Sequence, residues 1–285
     1  MSARTPCAWV IDLAADEELA FGQARTPSRA LAERLSALRT QAAQALLREG
    51  DVLVESQRFL GPMYQARAWC PTASARARFK QAGLTVPPQV SLDTLAKVTA
   101  RSFCLPDEAV ILTADTLSAL PHTGGPWRLS RMHTVSGRGH ARCETHEQIR
   151  STFARLAGAQ GQAVLAPWHE VTEDFGLHGF VSYEGTVTLG EPTQQHIDRR
   201  SLAWLGTVRC APGTLGPEEH LALFEAAQRC ALKLTSAGYF GPFGLDAYRY
   251  RDPQGRTRFC ALGELNARYT MGWAVGMGAA RPAGA

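Results

Sequence analysis

The sequence predicts an α/β (α+β) protein. Three observations predict it: strand and helix patterns alternate over 285 residues, the N-terminal stretch reads strand, helix, strand, and two long period-2 runs near the C-terminus meet at a Pro-containing turn. Hydrophobic residues make up 45% of the chain and charged residues 20%, so there is enough apolar mass for two or three subdomains with a full core.

The first segment is expected over residues 1–88. Ala8 to Leu13 reads as a strand, and Ser28 to Arg48 carries Leu31, Leu35, Leu38 and Leu46 at helical spacing before Gly50 stops it. Asp51 to Ser56 and Ala66 to Cys70 add strands, giving a small α/β layer. No Gly-rich phosphate fingerprint follows any of them, so this piece reads as scaffold and substrate wall. Pro71-Thr72 opens a helix that runs through Lys80, and Val86-Pro87-Pro88 is a stiff joint that marks the boundary.

The second segment is expected over 89–162. Ser91 caps a helix from Leu92 to Phe103, to which no chemistry is assigned, and Ala109 to Thr113 returns as a strand. Trp127 to Met132 is a further strand. It enters a loop containing Ser136, Gly137, Arg138 and Gly139, whose small residues let backbone N–H groups approach phosphate oxygens. The same loop also reads as a plain hairpin turn. Thr145 to Gly158 is an amphipathic helix with Ile149, Phe153 and Leu156 facing inward.

The third segment is expected over 163–285. It starts with a strand from Ala163 to Trp168, then a hairpin from Asp174 to Gly190 turning at Glu184-Gly185. Gln194, Gln195, His196 and Trp204 fall in a looser stretch. Pro217 opens a helix with Leu221, Phe224, Ala227, Ala231 and Leu234 as its apolar stripe, and the tail beyond Ala279 reads as frayed.

The chemistry concentrates between Gly238 and Gly272. Alternation runs from Phe243 to Arg251 and from Arg256 to Arg268, with Asp252-Pro253-Gln254-Gly255 between, the residues of a type I turn closed by a left-handed Gly. Pairing Asp252 with Arg256 places Asp246 opposite Leu262, on the same face as Glu264, Asn266 and Arg268. Asp246 is then a diagonal neighbour of Glu264, roughly 7–8 Å away, and both carboxylates can reach one ion. Two carboxylates and an amide carbonyl are hard oxygen ligands of the kind Mg²⁺ accepts, and Arg268 can hold a phosphate in bidentate fashion. A solvated strand face would carry the same charges.

The stretches FGLDAYRY and ELNARYTMG resemble the C-terminal half of the ATP-grasp family. The resemblance covers roughly residues 69 to 278. It implies the ATP-grasp fold, two α/β subdomains clasping a nucleotide, preceded by a preATP-grasp domain. By it, Asp246, Glu264 and Asn266 hold Mg²⁺ (or Mn²⁺) against ATP, and Arg268 contacts a phosphate or an acyl phosphate. Arg131 stands where the family has a Lys before a Ser-Gly-x-Gly loop, here Ser136 to Gly139. Ala163 to Trp168 matches the adenine-contacting hinge, where Trp168 can stack on a base. The family's hinge Glu is replaced by Leu165 or Ala166, and Glu170 and Glu173 are both candidates to substitute. The implied activity is an ATP-dependent ligase joining a carboxylate to an amine through an acyl phosphate, with small-molecule carboxylate and amine substrates. Arg131 and the missing hinge acid also admit a nucleotide-binding scaffold without turnover.

Other classes are disfavoured. The net charge of +4 is scattered and almost wholly Arg, which suits anionic small molecules and does not demand nucleic acid. No apolar run reaches the ~18–20 residues of a membrane span and the N-terminus lacks a signal pattern, so a cytoplasmic protein is expected. Seven dispersed Cys without CxxC argue against a disulfide framework or a zinc ribbon. No Ser-His-Asp or Cys-His spacing suggests a covalent nucleophile. Oligomeric state is not legible.

Overall fold

A computed structural model describes residues 4–24, 28–55, 59–120, 125–133, 139–158, 161–198 and 204–282. Three sheets organise it. The first is parallel, with β1 (Cys7–Val10) between β2 (Val52–Leu53) and β3 (Gln65–Ala68). It is accompanied by α1 (Ala15–Phe21), α2 (Arg29–Leu46) and α3 (Ala73–Gln81). Both helices α2 and α3 start where the sequence places them, and each gains a cap there, with Ser28 accepting from the Leu31 N–H and Thr72 from the Ala75 N–H. Helix α1 has no side-chain cap and was not anticipated, yet it carries two buried acids, Asp16 and Glu18.

The second sheet is antiparallel, in the order β4 (Val110–Thr113), β7 (Gln162–Pro167), β5 (Trp127–Arg131), β6 (His140–Cys143). Helix α5 (His146–Leu156) lays Ile149, Phe153 and Leu156 on Leu129 and Leu165 of this sheet, as its periodicity requires. Because β7 pairs with β4 and β5, it belongs with this second unit and not at the head of the third, as the division at 163 would have it. Helix α4 (Leu92–Thr99) stops short of the expected Phe103. Its C-terminal extension turns instead, and the Arg101 N–H donates to the Met132 carbonyl at the end of β5.

The third sheet has six antiparallel strands: β11 (Trp204–Arg209), β10 (Thr193–Ile197), β8 (Glu170–Val181), β12 (Gly241–Arg251) and β13 (Thr257–Asn266), with β9 (Val187–Leu189) pairing with β8. The stretch expected to be loose is thus two strands, β10 and β11. Helix α6 (Pro217–Ser236) covers the face that carries Phe175, Leu177, Phe243 and Leu245. Its buried stripe is Leu223, Ala226, Ala227, Cys230, Ala231 and Leu234, one step round from the expected one, and Leu221 is 59% exposed. Ahead of the tail expected to fray, α7 (Trp273–Met277) sinks Trp273 into the core, where its indole N–H donates to the Gly179 carbonyl. No helix among the described residues is long and apolar enough to cross a membrane.

Candidate active site

The hairpin β12–β13 turns where the sequence placed the turn. The Asp252 N–H donates to the Arg256 carbonyl at 3.0 Å, and Gly255 takes the left-handed conformation at φ 76°. From there Arg251 pairs with Thr257 and Tyr248 with Cys260, the expected register. A bulge then sets Ala261, Leu262 and Gly263 against Ala247, so Asp246 sits directly opposite Glu264 and not diagonal to it. The correction tightens the carboxylate pair. Gly263 permits the bulge, since a Cβ there would stand 2.8 Å from the Tyr248 ring and 3.0 Å from the Asp246 carbonyl oxygen. Gly263→Val is expected to cost about 1–3 kcal/mol in denaturant unfolding and to displace Asp246 from Glu264.

Strand alternation decides which side chains meet. Odd residues of β8 and β12 pack toward α6, and the even ones, with Gly244, Asp246, Gly176 and His178, face the opposite way. On that side a cleft of about 300 Å³ is lined by Asp246, Glu264, Asn266 and Arg268, by Arg128 and His140 of the second sheet, and by Arg101 from the turn after α4. Asp246 accepts from the Gln195 amide at 2.8 Å and from the Asn266 amide at 3.0 Å. It forms no ion pair among the described residues. Burial, and then the neighbouring Glu264 charge, push its carboxyl up to about 6. Glu264 pairs with the Arg101 guanidinium at 2.9 Å.

The donor chemistry fits a hard divalent cation. Two carboxylates set side by side, one of them half-buried with only amide donors as partners, are an electrostatic deficit that a cation would relieve, and Asn266 adds an amide to the set. Among the described residues no group of three His, Cys, Asp or Glu could hold a metal ion, and phosphate and water would complete the shell of an ion held by Asp246, Glu264 and Asn266. His140, Cys143 and His146, three residues apart in the sequence, make no such group, because Cys143 is buried under α5 and His146 packs on Trp127.

Arg268 is not free to act alone. Its Nε and Nη2 grip the carboxylate of Asp16, the shortest contact being 2.8 Å, while Nη1 donates to the Tyr269 carbonyl. Burial opposes the charge, but the Asp16 carboxylate outweighs it and holds the guanidinium pKa above its usual value.

Arg131 is not among the side chains lining the cleft. It shares a face of β5 with Leu129, whose side chain packs under α5, whereas Arg128 lies on the alternate face. The Arg128 Nε is buried with no hydrogen-bond partner among the described residues, and burial together with Arg101 lowers its pKa. Ser136, Gly137 and Arg138 lie outside the described residues. Gly139 is described, at φ 81°, and its carbonyl accepts from the Arg131 N–H. Trp168 sits in a separate hollow beneath the Arg142 guanidinium, not in the cleft. Glu173 is engaged by Arg249 at 2.6 Å on the α6 side, while Glu108 approaches His169 next to the hinge at 3.4 Å.

A second hollow of about 490 Å³ lies between the end of β7 (Ala166, Pro167) and Tyr248, Cys260 and Leu262 of the third sheet. Ala166 and Pro167 belong to the expected hinge, but the rest of its lining was not singled out in the sequence; nor were Arg101, Arg128 and Asp16 given a role, and Gln195 was placed only in the looser stretch. The only sequence signal for Arg101 was a Val-x-x-Arg-x-Phe stretch, Val98 to Phe103.

No protein-family model and no curated protein sequence matches the chain. Solved structures do. N5-carboxyaminoimidazole synthetase from Staphylococcus aureus, complexed with ADP, superposes with a TM-score of 0.53 at 10% identity, over 94% of this chain and 72% of that one. D-alanyl-alanine synthetase A from Vibrio cholerae gives 0.53 at 12% identity, over 92% and 88%. The biotin carboxylase domain of Hydrogenobacter thermophilus 2-oxoglutarate carboxylase gives 0.55 at 13%, over 95% and 65%. With three sheets in this order and a cleft between the second and third, the chain has the ATP-grasp fold.

Proposed function

We propose that this chain is an ATP-dependent ligase that activates a carboxylate as an acyl phosphate and passes it to an amine. The observation that carries the reading is the directly paired Asp246 and Glu264, with Asn266, facing Arg101 and Arg128 across the cleft. Opposed anionic and cationic walls suit a metal-bound polyphosphate, which needs both signs at once. Support also comes from the S. aureus and H. thermophilus structures, both of which hold ADP.

In this reading Asp246, Glu264 and Asn266 hold Mg²⁺ or Mn²⁺. The bound ion would neutralise phosphate charge as the γ-phosphoryl group moves. Arg128, with its unpartnered Nε, takes phosphate oxygens from the other wall. Arg101 leaves or shares Glu264 to do the same. The base enters the hollow between Ala166 and Leu262, where Tyr248 supplies a ring edge. Arg268, braced by Asp16, steadies the acyl phosphate. Catalysis of this kind is positioning and charge neutralisation, without a covalent enzyme intermediate.

The test is thermal stabilisation of the purified chain by ATP with and without Mg²⁺, followed by a screen of carboxylate and amine pairs for phosphate release. Stabilisation that depends on Mg²⁺ is expected, and its absence counts against the reading. Within the same assay Arg128→Leu is expected to weaken ATP binding about tenfold or more, the worth of one lost charge-assisted hydrogen bond. Arg131→Lys is expected to leave binding unchanged.

A further inference from the structure

A separate cavity of about 240 Å³ opens between the first sheet and the ends of β8 and β12. Aromatic rings dominate its walls: Trp69, Tyr239, Phe240 and Tyr269. The charged side chains lining it are Arg67 and Arg268, and no Asp, Glu or Lys among the described residues does so. The Arg67 Nε is buried and without a hydrogen-bond partner among the described residues. The Arg67 side chain as a whole is half-buried, and a guanidinium held against an apolar wall gains from an anion that joins it.

Arg268 and Trp69 line both this cavity and the cleft that holds Asp246 and Glu264. A group seated here therefore shares the Arg268–Trp69 wall with the proposed phosphoryl-transfer site. Size limits the rest of the ligand. An apolar cavity of about 150 Å³ holds one benzene ring, and drug-sized ligands use about 300 Å³ or more. A volume of about 240 Å³ suits one ring with a short tail. The absence of any lining acid leaves an ammonium group without a counter-charge, which disfavours a zwitterionic amino acid.

We infer that this cavity is the carboxylate-substrate pocket, and that it takes a small monocarboxylate bearing a single aromatic or comparably bulky apolar group and no cationic group. The inference rests on the ligase reading for the role of substrate, but the binding itself does not.

The test uses the full chain without nucleotide and follows tryptophan fluorescence or heat on titration with 3-phenylpropionate, propionate and 3-phenylpropanamide. 3-Phenylpropionate is expected to bind at least tenfold more tightly than either of the others. Arg67→Met should erase the preference for the acid over the amide, and Ala68→Leu, which fills the cavity, should weaken the acid at least tenfold. Mg²⁺-dependent ATP stabilisation, measured on the same samples, reports whether the variants remain folded and the nucleotide cleft intact. ATP stabilisation without any preference for 3-phenylpropionate would overturn the pocket and leave the ligase reading standing. Aromatic-acid binding without nucleotide binding would uphold the pocket and overturn the ligase reading. Failure of both would overturn both.

Discussion

Replacing Glu264 with Gln is expected to lower ADP formation by roughly 10²-fold or more while leaving the fold intact. The side chain keeps its size, so β13 still pairs with β12 and Gly263 still makes the bulge. What disappears is one of two adjacent negative charges, together with the ion pair to Arg101. Losing it weakens the hold on the cation and releases Arg101 at the same time. Removing the Glu264 charge also takes away the second cause of the raised Asp246 carboxyl, but Asp246 alone supplies one negative charge where two stood. The check is ADP release with an accepted substrate at saturating ATP, beside far-UV circular dichroism. Unchanged release would refute the assignment.

Asp16→Ala is expected to cost about 3–5 kcal/mol of stability, because it strands the Arg268 charge in a site where both partners are largely shielded from water. The Asp16 side chain is 9% exposed and that of Arg268 17%, so solvent screens the pair weakly. Its cost is distinguishable from loss of packing. Asp16→Ala combined with Arg268→Met removes both charges, and it should recover a large part of the loss in urea titrations. A single-variant cost below about 1 kcal/mol, typical of an exposed pair, would show that the clamp is solvated in solution. The same clamp joins the first segment to the third. The Tyr269 N–H donates to the Trp69 carbonyl, and the Tyr269 ring meets Trp9 edge-on at 5.2 Å. Weakening the Asp16 contact should therefore also loosen the substrate wall.

The hairpin was the most legible part of the chain, because its turn chemistry and alternation are local and its three metal-type side chains lie within one strand pair. The bulge at Gly263 was not legible. Period-2 alternation counts residues and does not register where one strand outruns its partner, and a lone Gly in a strand is only a weak flag. The helices from Arg29, Ala73 and His146 were announced by Ser28, Thr72 and Thr145, whereas α1 begins without a cap and passed unseen along with Asp16. Arg101 and Arg128 were missed for a different reason. Their contacts are non-local, and nothing in the sequence of a turn or a strand says which side of it will meet a partner more than a hundred residues away. Arg131 illustrates the cost: a strand has two sides, and a shift of three residues along it changes the side.

The central claim is that Asp246, Glu264 and Asn266 form one face of a metal–nucleotide cleft. Crystals grown with Mn²⁺ and a non-hydrolysable ATP analogue test it most directly through anomalous scattering. The account predicts a manganese peak in contact with the Asp246 and Glu264 carboxylates and phosphate density toward Arg128. Nucleotide bound elsewhere, with Asp246 still engaged only by Gln195 and Asn266 and no peak beside it, would contradict the account.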